Sequence, residues 1–293
     1  MTWRDLRRNL RRVAREGRDA VDLVRWLPWS EFTSEWHMYD QTNIWEQAWT
    51  TRWLRQELTG TGHIVELGAL IGSSTTAIAR GLHGRAAEVT VYDGFDWRYV
   101  DPPGLLAHYK DQGLGLREVY DRRTGPPLGR VIAGDILEQT WGGEPIEFLY
   151  VDIAKTWPIW NHLTATFVPS LIVDGVIVQQ DWAHSMTPWL HLWHYRWRGH
   201  FTPLGHVAHG GTLAFQLTQP LPDEAFTATD PADFPVIDGA FDWAASLVGP
   251  DMQAEMDGAR RHARRLASGP APPTADDASK DDEGEDAAPT PGA

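Results

Sequence analysis

Five short apolar runs, each with an acidic residue at or just beyond its carboxyl end, constrain this chain more than any other feature. The runs are Ile64–Leu67, Val89–Tyr92, Val131–Ala133, Phe148–Val151 and Val176–Val178, and the acids are Glu66, Asp93, Asp135, Asp152 and Asp181. Longer segments of helical character, such as Ser74–Gly81 and Trp157–Phe167, lie between several of them. Strands alternating with helices predict a parallel sheet covered on both faces. In an open sheet of that kind the carboxyl ends of the strands face the ligand crevice. One acid at a strand end is an ordinary solvated turn, but five in succession point to a polar site. After Arg198 two further runs, Phe201–His206 and Thr212–Leu217, are joined by His209-Gly210-Gly211. Their close spacing across glycines predicts an antiparallel hairpin. The fold expected is therefore α/β: a doubly wound, mostly parallel seven-stranded sheet with a carboxyl-terminal antiparallel hairpin, preceded by helices.

The flanks divide the 293 residues further. Residues 1–60 read as a helical extension, 61–220 as the α/β domain, 221–267 as a helical segment and 268–293 as an acidic tail. Within the first, Trp3, Leu6, Leu10, Val13, Val21 and Val24 recur at helical spacing with Arg between them, and Leu27-Pro28 breaks the pattern. This basic amphipathic helix can dock on its own domain, pair with a second copy or lie on an anionic membrane; docking or a homo-oligomer is the preferred expectation. A second helical region runs from Asn43 to Leu58, and late helices are expected over Phe241–Val248 and Met252–Leu266. The tail is rich in Pro, Ala, Asp, Glu and Gly, a composition that cannot bury a core.

Composition removes whole classes of function. Without cysteine there is no disulfide scaffold, thiolate zinc site, iron–sulfur cluster or cysteine nucleophile. A cytoplasmic, reducing setting is the matching expectation. The net charge of -14 argues against sequence-independent nucleic-acid binding, and no apolar run is long enough to span a bilayer. The 16 Trp residues either build an aromatic core or line a ligand surface.

The chemistry is concentrated at the strand ends. In Glu66-Leu67-Gly68-Ala69-Leu70-Ile71-Gly72-Ser73-Ser74-Thr75 a strand runs into a glycine loop and then a hydroxyl-rich helix start. Glycines let backbone approach a ligand closely, and the helix amides point at it. The spacing is not Gly-x-Gly-x-x-Gly, which argues against a nicotinamide oxidoreductase. Asp93 ends the next strand, where an acid can take both ribose hydroxyls of a nucleoside. Gly134-Asp135 follows the third strand and can meet an adenine amine. Asp152-Ile153-Ala154-Lys155 follows the fourth, and Gln179-Gln180-Asp181 the fifth. Lys155 can serve as a base or as the salt-bridge partner of Asp152. His184 is the second candidate base, or else a hydrogen-bonded pocket residue. His191, His194 and Trp189 line the acceptor side or pack beside it. His184, His191 and His194 can also be combined as a zinc site by composition.

This constellation resembles the class I S-adenosylmethionine-dependent methyltransferases over about Ile64 to Leu217. Glu66-Leu67-Gly68-Ala69 to Ser74 looks like their first motif, Asp93 like the ribose-binding acid and Gly134-Asp135 like the adenine-side motif. Glu66-Leu67-Gly68-Ala69 and Val151-Asp152-Ile153-Ala154-Lys155 are most similar to the catechol and macrolide-sugar O-methyltransferase branches, and to uncharacterised bacterial relatives. The resemblance implies that Glu66, Gly68, Gly72, Ser74, Asp93 and Asp135 hold S-adenosylmethionine. It implies that Asp152 and Asp181 hold Mg²⁺ or orient the acceptor hydroxyl, and that Lys155 or His184, with Asp152, handles the proton of a small-molecule hydroxyl. Trp182 stands where the branch has a further acid or Asn ligand. Two rivals keep the fold: a cephalosporin-hydroxylase-like enzyme, and a non-catalytic accessory protein.

Overall fold

The computed structural model describes residues 42–99, 109–207 and 210–268. The expected leading helix and nearly all of the acidic tail lie outside these residues. Chain order is α1 (Ile44–Gln56), β1 (His63–Leu67), α2 (Ser73–Leu82), β2 (Val89–Asp93), α3 (Leu116–Thr124), β3 (Arg130–Ala133) and β4 (Ile146–Val151), then α4 (Trp157–Thr166), β5 (Leu171–Gln179), α5 (Pro188–Arg196), β6 (Phe201–His206), β7 (Leu213–Leu217), α6 (Ile237–Ser246) and α7 (Gln253–Ala267). The seven strands form one sheet in the order β3-β2-β1-β4-β5-β7-β6. Strands β1 to β5 pair in parallel, while β7 runs antiparallel to both β5 and β6. The expected α/β sheet and its closing hairpin are both present.

Alternation along the strands decides which layer each side chain joins. Ile64, Phe148, Val176, Val178 and Ala214 pack against α1 and α2 through Leu54, Ile78 and Leu82. Val65, Leu149, Val151, Ile177, Leu213 and Phe215 pack on the opposite face, against Trp160, Leu163, Leu190 and Trp193 of α4 and α5. A sheet buried on both faces needs unbroken apolar strands, which is why these runs are conspicuous. Strand β5 is longer than its apolar run because a register shift between Ile146 and Phe148 of β4 lets Leu171 pair ahead of it. Helix α1 starts on a capping box, in which the Asn43 side chain accepts from the Trp45 and Glu46 amides and Glu46 accepts from the Asn43 amide. It meets α2 closely at Gly81, where a Cβ would stand 2.7 Å from that of Leu54.

The aromatic residues of the carboxyl-terminal half form a core, not a ligand surface. Trp160, Trp182 and Trp193 are fully buried, and Trp189 nearly so. The Trp182 indole sits 4.7 Å from the His191 ring and 4.8 Å from Phe215, centroid to centroid. His194 stacks on Phe215 at 4.2 Å. Both histidines are fully buried, so they pack behind the acceptor side and do not line it. The composition-based zinc reading is also corrected: among the described residues no group of three or more His, Cys, Asp or Glu could hold a metal. The His191 Nε2 lies 2.5 Å from the Trp182 carbonyl, which requires that nitrogen to donate. Among the described residues, no helix is long and apolar enough to cross a membrane.

Burial holds both rings neutral. It lowers His191 to about 4, against a weaker upward pull from the Trp182 carbonyl, and lowers His194 well below the usual range. A depressed histidine stabilises the fold fully above its unfolded value near 6.5 and loses that contribution as pH falls toward the folded value. The protein is expected to lose on the order of 3 kcal/mol through His191 alone between about pH 6.5 and 4. Urea unfolding across that range checks this. His191→Gln, whose amide can still donate to the Trp182 carbonyl, should flatten the pH slope; an unchanged slope would discard the assignment.

Candidate functional site

The site lies where the sheet reverses its direction of growth, between the carboxyl ends of β1 and β4. After β1 the chain builds outward through β2 to β3, then returns to place β4 on the other side of β1. In sheets of this topology the loops leaving such a strand pair turn apart and open a crevice. Here they stay joined at its base, because the Asp152 amide donates to the Leu67 carbonyl at 2.8 Å. Gly68, at φ +91°, passes so close that a Cβ there would lie 2.6 Å from the Asp152 carbonyl oxygen. Glycine is required on both counts.

Asp93 holds this loop in shape. Its Oδ2 accepts from the Ala69 and Leu70 amides, each at 2.8 Å, and its Oδ1 from the Phe95 amide at 2.6 Å. Leu70 is held at φ +48°, a costly backbone for a residue with a Cβ. A carboxylate has about four acceptor sites, so three amides leave room for one further donor. Gly134 is tied to β2 by its amide, which donates to the Asp93 carbonyl at 3.0 Å. Asp135 is exposed beside it and accepts from the Leu137 amide at 3.0 Å.

Glu66, Gly72 and Ser74 take deeper places. Gly72 caps α2 at φ +88°, against Tyr120 and Thr124 of α3. Ser74 is buried in the first turn of α2. Glu66 is wholly enclosed, and its Oε2 accepts from the Thr75 hydroxyl at 2.6 Å. Its Oε1 is buried with no protein partner. Burial raises the carboxyl to about 8, against the Ser74 and Thr75 hydroxyls, with further upward pushes from Asp93 and Asp152. Tyr150, its register neighbour on β4, is also fully buried with an unpartnered hydroxyl. Glu46 approaches from α1, its Oε1 accepting from the Thr212 hydroxyl at 2.7 Å; burial raises its carboxyl as well. Sequence reading missed both residues. The Asn43-x-x-Glu46 capping pattern could have flagged Glu46, whereas Tyr150 reads as one more apolar strand position.

On the β4 and β5 side, Lys155 bridges two acids. Its Nζ donates to Asp152 Oδ1 at 2.8 Å and to Asp181 Oδ2. The two acid side chains are 13% and 11% exposed, and the lysine 48%. Burial raises the Asp152 carboxyl, Lys155 draws it back, Asp181 pushes it up again, and the net direction is up. Burial draws the Lys155 ammonium down, but Asp152 and Asp181 outweigh it and hold it charged. A charged ammonium is a poor base, so the proton-taking role expected of Lys155 does not match this geometry. His184 is exposed, and its Nδ1 accepts from the Met186 amide at 3.1 Å, which ties it to its own turn.

The residues present do not fit the expected Mg²⁺. The ion prefers six oxygen ligands in a near-octahedral shell. Here the ammonium engages both carboxylates, and the neighbouring Trp182 is sealed in the aromatic core. The metal assignment of Asp152 and Asp181 is corrected accordingly: they form an ion-paired triad with Lys155.

No family model and no curated protein matches the chain. Among solved structures it is similar to the O-methyltransferase NovP, at 14% identity and TM-score 0.46, over 63% of this chain and 84% of that one. It is similar to CalS11, a TDP-rhamnose 3′-O-methyltransferase of calicheamicin biosynthesis, at 15% identity and TM-score 0.45, over 69% and 92%. It is also similar to the SAH-bound methyltransferase PaMTH1 of Podospora anserina, at 15% identity and TM-score 0.39, over 70% and 88%.

Asp93→Ala should destabilise the ligand-free protein by about 2 kcal/mol, since three loop amides lose a charged acceptor. Asp93→Asn should cost about half of that, because its amide oxygen can still accept from Ala69 and Leu70. Urea denaturation without ligand reads both. A fully stable Asp93→Ala protein would show that the loop does not depend on this carboxylate.

Proposed function

We propose that the chain transfers a methyl group from S-adenosylmethionine to a hydroxyl of a small molecule, of the sugar or secondary-metabolite class. The observation that carries this reading is the joining of two half-sites at one switch point. The glycine loop and Asp93 stand on the β1–β2 side, and the Asp152–Lys155–Asp181 triad stands on the β4–β5 side. The Leu67–Asp152 backbone bond and the Gly68 contact link them. Solved structures to which the chain is similar include O-methyltransferases.

The residues fit the cofactor. Glu66 Oε1 is an enclosed acceptor with no protein partner, suited to an ammonium group. The remaining acceptor site of Asp93 suits a ribose hydroxyl, and the exposed Asp135 suits an adenine amine. Gly94 and Gly134 leave bare backbone between those two acids, a Cβ on Gly94 meeting only the Gly134 carbonyl at 3.9 Å. When bound, S-adenosylmethionine supplies a sulfonium methyl open to in-line attack by an oxygen. The chain's own part is to align the acceptor and to favour loss of its proton. Asp152, raised toward neutrality by burial, is placed to accept that proton. Lys155, held charged, is placed to steady the developing negative oxygen.

Calorimetric titration with S-adenosylhomocysteine tests the reading. Binding at pH 7 should release roughly one proton, because an ammonium on Glu66 returns a carboxyl raised to about 8 to its charged form. The measured heat should therefore change between buffers of different ionisation enthalpy, and Glu66→Gln should weaken binding and abolish that dependence. A buffer-independent heat would remove Glu66 from the ammonium subsite. No binding of either S-adenosylmethionine or S-adenosylhomocysteine would overturn the methyltransferase reading.

A further inference from the structure

We propose that the Lys155 ammonium is a built-in cation in this crevice, holding the acceptor oxygen in the place a divalent metal would take, so that the site works without one. The inference rests on the methyltransferase reading and extends it to the mode of acceptor binding.

Two mostly buried carboxylates facing one space require positive charge between them. Lys155 supplies it from a fixed position. Its amide donates to the Ile153 carbonyl at 2.7 Å, closing a tight turn directly after Asp152. The Ala154 carbonyl in that turn accepts from the Trp189 indole at 2.8 Å, and Trp189 belongs to α5 in the aromatic core. Helix α5 thus holds the turn from behind, and the lysine reaches forward to both acids. A divalent ion could enter only by displacing this ammonium or by standing a few ångströms from it, where like charges repel. Among the described residues it would also find no third carboxylate or histidine placed to join the two acids. Trp182 follows Asp181 and is locked between His191 and Phe215. Glu46 is engaged by Thr212 and Asn43, and Glu66 is wholly enclosed on the β1 side, with one oxygen engaged by Thr75.

The substitution changes what the site can recognise. An ammonium has three N–H donors, and two are directed at Asp152 and Asp181. The third can hold one acceptor oxygen, and the half-exposed side chain leaves it within reach of a ligand. A metal chelates two neighbouring oxygens, whereas a single N–H holds one. The acceptor class is therefore an isolated hydroxyl, with no requirement for a vicinal diol or catechol.

Titration of Mn²⁺ into the full-length protein, followed by the loss of free-ion paramagnetic resonance signal, tests the inference. The wild type should leave the signal unchanged to about 1 mM Mn²⁺, far above the range expected of a built divalent site. Lys155→Ala should gain binding at least about tenfold tighter, and Lys155→Arg should stay silent, because only the former vacates the space between the acids. If Lys155→Ala does not fold, the wild-type titration still decides. Wild-type binding below 1 mM that is lost in Asp181→Asn would overturn the proposal. S-adenosylhomocysteine calorimetry in EDTA separates the two levels: no nucleoside binding there counts against the methyltransferase reading, while the manganese result still reports which cation the acids hold.

Discussion

Acid side chains gathered at the carboxyl ends of parallel strands must each find a donor, and that requirement shapes everything around the crevice. Parallel strands deliver their ends to one edge, and here five of them bring carboxylates with them. Asp93 is satisfied by loop amides, Asp152 and Asp181 by one lysine, and Glu66 by a threonine hydroxyl on one oxygen only. Each solution fixes a piece of backbone. The first holds the loop after β1 in a strained conformation, the second orients the turn after β4, and the third ties the floor of the site to α2. An unpaired buried carboxylate takes up a proton instead of remaining charged. Glu66 is the place where pairing falls short, and burial together with Asp181 raises Asp152 in spite of its lysine.

The aromatic layer behind β4 and β5 is what allows the triad to be rigid. Trp182, Trp189 and Trp193 pack there with His191, His194 and Phe215. Two of these indoles also donate to backbone carbonyls that position loops, Trp189 to Ala154 and Trp193 to Ala225. The buried rings set the backbone from which Asp152, Lys155 and Asp181 project. Helices α6 and α7 close the far side of this layer through Phe241, Ala259 and Ala263.

Much of this was legible in the residues. The strands at Ile64–Leu67 and Phe148–Val151 were plain because a sheet buried on both faces tolerates only apolar runs. The closing hairpin was plain from two runs separated by glycines. Helices α3 and α5 were harder. α3 is mostly charged, with only Leu116, Val119 and Tyr120 buried, so its apolar face is too sparse to mark it. α5 is buried almost all round, which removes the polar face that reveals a helical period. Tyr150 and Glu46 escaped because their importance lies in which neighbours they face across the sheet, and no spacing along the chain encodes that.

By itself, then, the sequence determined the alternation of strands and helices and the gathering of acids at one edge of the sheet. These follow from local periodicity, backbone sterics and the parallel arrangement that long crossovers impose. Only the tertiary structure decided what the acids do. Lys155 is three residues from Asp152 but 26 from Asp181, and its meeting with both depends on β4 and β5 lying side by side. Whether a carboxylate holds a metal, an ammonium or a proton is set by the charges and donors that converge on it in space. Residues distant in sequence supply those, so the sheet had to be assembled before the chemistry of its edge was defined.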